Sequence, residues 1–312
     1  MAAIGHRPAA SVVRGELTVD PAFARDYLSW RWHGRARETL SHADHVIACC
    51  HALKLDLVGI PCGASEDGPS VPDGTKTDLA PFTTAGLCVF ALLDGAFQKT
   101  AASRQLMTLL ADIARCPDEV AAALRRASRQ VTAAMAAAVA AGARGIIVAD
   151  DIAYRQGTYM APAFVARHLL PVWRDQVAAA ADLGVPAFFH SDGNLNRVLP
   201  QIVAAGFDGL QCIEPTAGMV ISEIRERYGK ALCLMGNIDP ALLYPCSDLA
   251  GVKQDTGDLQ RAATDLIRLA AEKSGLIFGT CSGLHAGMSP ERVDFMYRLA
   301  CQPDVHDHAK TR

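Results

Sequence analysis

From residue 142 onward the chain repeats one arrangement of apolar and polar positions. A helix-length stretch ends in glycine, four to seven apolar residues follow, and a polar cluster closes the unit. Gly142 leads into GIIVADD (145–151), Gly184 into VPAFFHSDGN (185–194) and Gly206 into GLQCIEP (209–215). Gly229 leads into ALCLMGNID (231–239) and Gly275 into LIFGTCSG (276–283). Glycine suits the left-handed position that ends a helix. A continuous apolar run, unlike an alternating one, predicts a strand buried on both faces. Upstream, LDLVGIPCG (55–63) and LCVFALLDG (87–95) show the same grammar more weakly. Helices are predicted over 118–141, with Asp118 and Glu119 in the first turn, over 162–182, with Pro162 at its start, and over 259–273.

Seven strand–helix units imply a parallel sheet, either closed or doubly wound. No glycine-rich dinucleotide turn follows the first strand, and polar residues follow nearly every strand instead of gathering at one switch point. Both features favour a single closed (β/α)8 barrel. Residues 1–44, with Phe23, Tyr27, Trp30 and Trp32, are expected to be an N-terminal extension covering one end of a barrel formed by 45–312.

Composition removes several function classes. Half of the 312 residues are apolar, and 30 Lys and Arg against 33 Asp and Glu leave a formal charge of −3. That balance argues against a nucleic-acid partner. The longest near-apolar run, Ala133 to Ala143, falls short of the roughly 18–20 residues that span a membrane. The N-terminus lacks the apolar core of a secretory signal. The ten cysteines form no CxxC pair and no disulfide-like framework, so reduced thiols in a cytoplasmic protein are expected.

If the strands are parallel, the residues after them share one mouth, where barrels of this kind carry their active sites. That mouth would hold Asp94, Asp150, Asp151, His190, Asp192, Glu214, Asn237, Asp239, Cys281 and Ser282. Singly, each has a plainer explanation. An aspartate after a strand is also what a helix N-cap looks like, Asp239 before Pro240 included, and a lone histidine also satisfies a core. Together, at six strand ends, they point to a ligand site.

Several of these stretches carry a family resemblance. LLDGAFQ (92–98), VADDIAYRQGTYMAPAFV (148–165), HSDGN (190–194), AGFDGLQCIEPTAGM (205–219), MGNID (235–239) and FGTCSGLHAGMSPERV (278–293) resemble the uroporphyrinogen decarboxylase superfamily. The resemblance independently implies a (β/α)8 barrel and one of two chemistries. These are cofactor-free decarboxylation of porphyrinogen acetates, and methyl transfer involving a corrinoid protein.

Decarboxylation of a substrate with eight carboxylates needs a clamp of arginines. The basic run Arg31–Arg37 does not match the RQAGR-type segment of true decarboxylases, and the neighbours of Asp94 depart from those around their essential aspartate. Superfamily members that methylate a thiol such as coenzyme M carry zinc on His-x-Cys and a distant Cys, because the metal makes a thiolate. Here His190 matches, but Asp192 and Ser282 stand at the cysteine positions, with Cys281 one residue away. Zinc on His190 and Cys281, with Asp192 or Glu214, is therefore open but not favoured. Tetrahydrofolate-dependent relatives need no metal to deprotonate their acceptor nitrogen. They need polar groups for the amino-pyrimidinone edge, here Asp151, Asp192, Asn194, Asn237 and Asp239. Tyr154, Tyr159, Phe189 and Tyr244 are candidates to wall the pocket, with buried packing the plainer role for each.

The resemblance thus implies a methyltransferase working between a methylcorrinoid protein and a small-molecule acceptor, tetrahydrofolate ahead of a thiol. Catalysis is expected from Asp151, His190, Asp192 and Glu214, and substrate binding from Asp94, Asn194, Asn237, Asp239 and Ser282. The alternatives are uroporphyrinogen decarboxylation and a non-catalytic barrel that binds a tetrapyrrole or pterin.

Overall fold

The computed structural model describes residues 3–6, 11–34, 40–65, 68–70, 78–245 and 256–301. Eight parallel strands close into a barrel. They are β1 (Val13–Glu16), β2 (Leu57–Pro61), β3 (Cys88–Asp94), β4 (Gly145–Ala149), β5 (Ala187–His190), β6 (Gly209–Gln211), β7 (Cys233–Ile238) and β8 (Leu276–Thr280). Neighbours around the barrel follow chain order, and β1 closes it by pairing with both β2 and β8. Seven of these strands fall within the seven apolar runs read from the sequence.

The eighth corrects the expected domain boundary. Residues 13–16 are a barrel strand, so a division at 44/45 cuts through the barrel. This strand carries no apolar run because its outward side chains are polar and individually satisfied. Arg14 bonds Asp56, and Glu16 accepts hydrogen bonds from Thr280 and Tyr297. Among the described residues of this segment, 3–6 are what resembles a cover, with Ala3 and Ile4 packed against the interior cluster of Leu17, Leu57, Phe90, Ile147, Phe188, Met235 and Ile277. The rings of Phe90 and Phe188 meet edge to face at 5.5 Å. They fit because Gly145 and Gly209 lie beside them, where an added Cβ would come within 2.4 Å of ring carbon.

Helices surround the barrel: α1 (Pro21–Arg31), α2 (His42–Leu53), α3 (Ala96–Arg104), α4 (Leu106–Arg115), α5 (Pro117–Ala140), α6 (Leu170–Asp182), α7 (Leu199–Ala205), α8 (Ile221–Tyr228), α9 (Thr256–Glu272) and α10 (Pro290–Leu299). The helix expected over 162–182 is interrupted by a π turn at Val165–Leu169. Pro171 follows at once. It has no N–H to donate and crowds the preceding turn, which a π turn accommodates. The aromatics Phe23 and Tyr27 of α1 are buried against neighbouring helices, with the Tyr27 hydroxyl donating to Asp294 at 2.8 Å. No helix among the described residues is long and apolar enough to cross a membrane.

Candidate functional site

His190 ends β5, buried at the carboxyl mouth of the barrel, and its Nδ1 meets Oε1 of Gln211, the last residue of β6. The Gln211 amide nitrogen donates to the carbonyl of Cys281 at 2.8 Å and reaches that of Thr280 at 3.4 Å. With its NH2 so committed, Gln211 presents an acceptor, which makes His190 Nδ1 the donor of the pair and turns Nε2 to the mouth. That nitrogen lies 3.7 Å from Asp151 Oδ1.

The loops fix the acids around this point. Asp151 Oδ1 accepts the backbone N–H of Asp192 at 3.1 Å, and Asp192 Oδ1 accepts the thiol of Cys212 at 3.1 Å. Glu214 joins the loops after β5 and β6, accepting from the Gly193 amide at 2.9 Å and the Thr216 hydroxyl at 2.6 Å. The ligating atoms of Asp151, His190 and Asp192 lie within 4.8 Å of one another, as do those of Asp192, Cys212 and Glu214, so Asp192 is common to both groups. All four residues expected to carry catalysis are therefore neighbours.

The thiol at the acids is Cys212. Cys281 instead turns its thiol to the Ile238 carbonyl at 3.3 Å. The neighbouring Cys281 thiol, then burial, hold the Cys212 thiol far above its ordinary range. Cys212 and Ile213 both have positive φ, 91° and 56°, an uncommon pair of non-glycine conformations beside a site.

The expected binding residues divide. Asp94 stands at the end of β3, its carboxyl raised by desolvation, relieved by Lys99 and raised again by Asp151. Asn194 is committed at both ends of its amide, donating to Ala217 O at 2.8 Å and accepting from Asn196 N at 3.0 Å. Asp239 caps the short helix Pro240–Leu243 through the Ala241 amide at 2.8 Å, the plainer role open to it from the sequence. Asn237 donates to Ile213 O at 3.2 Å, and with Asp239 it lines a cleft of about 540 Å³ against α8 and α9. Ser282 bonds His285 at 3.1 Å. Asp150 is wholly buried, accepting from the Gln98 amide at 3.0 Å and Trp173 Nε1 at 2.9 Å, and burial pushes its carboxyl up to about 6. It ties α3 and α6 to β4.

The aromatics differ from their expected burial. Phe189 is buried between Trp173 and Phe207, but Tyr154 and Tyr159 are exposed and stacked, with centroids 5.6 Å apart and planes 15° from parallel. They sit on a hairpin (Ala153–Tyr154 with Gly157–Thr158) after β4. Burial, followed by the charges of Asp151 and Asp192, raises the Tyr159 phenol. The hairpin is clamped to the His190 loop by the bond from Asn194 N to Tyr154 O at 2.9 Å. Gly193 permits this approach. Its φ is +85°, and a Cβ there would meet Tyr154 backbone at 2.6 Å.

Gln211 and Cys212 complete the site without standing out in the sequence. The available signal was a glutamine ending an otherwise apolar strand, a position where a buried amide needs partners.

A closed parallel barrel with imidazole and carboxylates at its carboxyl mouth defines a (β/α)8 protein with a site in the usual place for that fold. The model of the uroporphyrinogen decarboxylase (URO-D) family matches residues 80–302, and the chain belongs to that family. The uroporphyrinogen decarboxylase of Syntrophotalea carbinolica is 24% identical over 217 residues, 70% of this chain and 56% of that protein. That of Nitrosococcus oceani is 26% identical over 170 residues, 53% of this chain and 43% of that protein. The chain thus spans about half the length of these curated relatives. Among solved structures, a methyltransferase from Methanosarcina mazei has a TM-score of 0.70 at 17% identity, covering 97% of this chain and 96% of its own. The likeness is one of fold.

Proposed function

We propose that this chain is a methyltransferase moving a methyl group between a corrinoid protein and a small acceptor, with tetrahydrofolate ahead of a thiol. The observation that carries the proposal is His190 Nε2, turned to the mouth by Gln211 and facing Asp151 at 3.7 Å among acids. A bound corrinoid would supply methyl on cobalt, given up by in-line displacement with the bonding pair staying on the metal. The acceptor N–H must lose its proton as nitrogen gains the methyl group. In this reading His190 Nε2 takes that proton and the Asp151 carboxylate stabilises the imidazolium. Asp192 is exposed and can accept from the amino-pyrimidinone edge. The stacked Tyr154 and Tyr159 offer a flat wall for the ring.

The same mouth disfavours porphyrinogen decarboxylation. Asp151, Asp192 and Glu214 gather acids around His190, and Lys99, Arg104 and Arg126 stand apart from them in a cleft between α3 and α5, so among the described residues a substrate with eight carboxylates finds no arginine clamp at the reacting centre itself. In the Arg31–Arg37 run, Arg31 pairs with Asp294 at 2.8 Å, and Arg35 and Arg37 lie outside the described residues.

One observation favours the thiol as a second acceptor. His190, Asp151 and Asp192 fit a divalent cation, and Gln211 orients the imidazole as an outer-shell partner does at metal sites. The nitrogen and oxygen donors of that group are joined through Asp192 to Cys212 and Glu214. A cation there would supply thiol deprotonation.

The test offers methylcobalamin to the protein with tetrahydrofolate or coenzyme M, and separately offers uroporphyrinogen, with metal content measured per chain. Methyl transfer to tetrahydrofolate that survives chelation is the expected result. One metal per chain, lost with activity in His190→Ala, would move the acceptor to the thiol. Carbon dioxide from uroporphyrinogen, or no turnover with either acceptor, would defeat the methyltransferase proposal.

A further inference from the structure

Beside the mouth, between α3 and α5, lies a second cleft of about 440 Å³ whose wall includes Asp94, Lys99, Arg104, Arg126 and Gln130. Its charge is opposite to that of the mouth. Arg104 is bound to Asp112 at 3.0 Å, but among the described residues Lys99 and Arg126 form no ion pair within 4.0 Å, although Lys99 is close enough to Asp94 to act on its carboxyl. Two cations left unpaired around one concavity, with a third at its edge, form a field that draws anions. The cleft also adjoins the reaction centre. Asp94 lines it and stands opposite Ala149 on β4, two residues before Asp151, and its carboxyl feels both Lys99 and Asp151. A molecule with its reacting end at His190 and Asp151 would have this cationic cleft next along its length.

We infer that the cleft between α3 and α5 seats an anionic tail, carboxylate or phosphodiester, of the molecule whose reacting end occupies the mouth. The inference rests on the methyltransferase reading for the identity of that molecule, but the cleft is testable by itself. Two candidate molecules carry such a tail. Tetrahydrofolate ends in glutamyl carboxylates, and cobalamin has a phosphodiester that cobinamide lacks. Arginine binds both groups through two parallel N–H donors, and lysine adds a point charge.

The experiment is calorimetry on the wild-type chain, Lys99→Met and Arg126→Met with four ligands: tetrahydropteroyl monoglutamate and triglutamate, methylcobalamin and methylcobinamide. Both positions are on helix surfaces, and circular dichroism checks that the variants remain folded. A carboxylate seat predicts that wild type favours the triglutamate over the monoglutamate by about tenfold, as two or three partly solvated ion pairs allow. The preference shrinks with added salt and disappears in either variant. A phosphodiester seat predicts the same loss for methylcobalamin relative to methylcobinamide, with the glutamate count immaterial. Affinities indifferent to both substitutions, or no binding by any of the four, overturn the inference. Triglutamate binding that depends on Arg126 without methyl transfer would retire the methyltransferase reading and keep the cleft. Methyl transfer with affinities that ignore Lys99 and Arg126 would do the reverse.

Discussion

His190 gives its Nδ1 proton to the side-chain oxygen of Gln211, and Gln211 gives its own amide protons to backbone carbonyls at the end of β8. One buried pair thereby joins the ends of three strands and sets which imidazole nitrogen faces the mouth.

Breaking that pair tests the site directly. In Gln211→Leu the imidazole is free to change tautomer, and turnover should fall roughly 10- to 100-fold, the usual cost of losing such a partner. Stability should fall by about 1–3 kcal/mol, because the histidine donor and the two carbonyls lose a buried partner. Nitrogen NMR of His190 should then report mixed tautomers. Unchanged turnover in a folded variant would remove Gln211 from the mechanism.

Asp151→Asn keeps an oxygen to accept the Asp192 amide and deletes only the charge, and Asp192→Asn likewise retains an acceptor for Cys212. Both should lower kcat or acceptor affinity by tenfold or more while leaving stability within about 0.5–1 kcal/mol, as expected of exposed substitutions. Thermal melts and steady-state kinetics decide the matter. Normal kinetics in both variants would make these residues loop fixtures, and loss of folding would make them structural.

Gly193→Ala forces a Cβ onto the Tyr154 backbone at a φ of +85°. The hairpin bearing Tyr154 and Tyr159 should shift away from the His190 loop, at a cost of about 1–3 kcal/mol in strain. The expected signature is a raised KM for a flat acceptor and altered tyrosine fluorescence. A variant with wild-type KM would show that the tyrosine wall takes no part in binding.

Glu16 makes stability depend on pH. Burial pushes its carboxyl up to about 7, although Thr280 and Tyr297 hydrogen bonds oppose the shift. Below about pH 4.5 the native and unfolded chains both hold this proton, and the contribution is fully present. As pH rises toward 7 the unfolded state loses the proton first, so stability declines by an amount on the order of 3 kcal/mol, then levels off. Asp150, raised to about 6 by burial, acts with the same sign over a lower window. Glu16→Gln should flatten the decline above pH 6 in urea titrations run across pH 4 to 8. An unchanged slope would mean that Glu16 ionises normally.

Local sequence determined seven of the eight barrel strands, because strands buried on both faces must be continuously apolar and the turns between need glycine or polar residues. It also determined that Asp151, His190, Asp192 and Glu214 share one mouth, since parallel strands put every strand end on the same side. The first strand, Val13–Glu16, was decided by tertiary structure. Its polar outward residues are tolerated only because Asp56, Thr280 and Tyr297 are brought to meet them from distant parts of the chain. Roles within the mouth were decided the same way. Asp239 and Asp151 look alike as aspartates after strands, yet one caps the turn that follows it and the other faces a histidine 39 residues along the chain. Which nitrogen His190 turns to the mouth depends on Gln211 and, through it, on the carbonyls of Thr280 and Cys281. Hydrogen bonds between separate strands exist only once the barrel has closed, and no spacing along the chain encodes them.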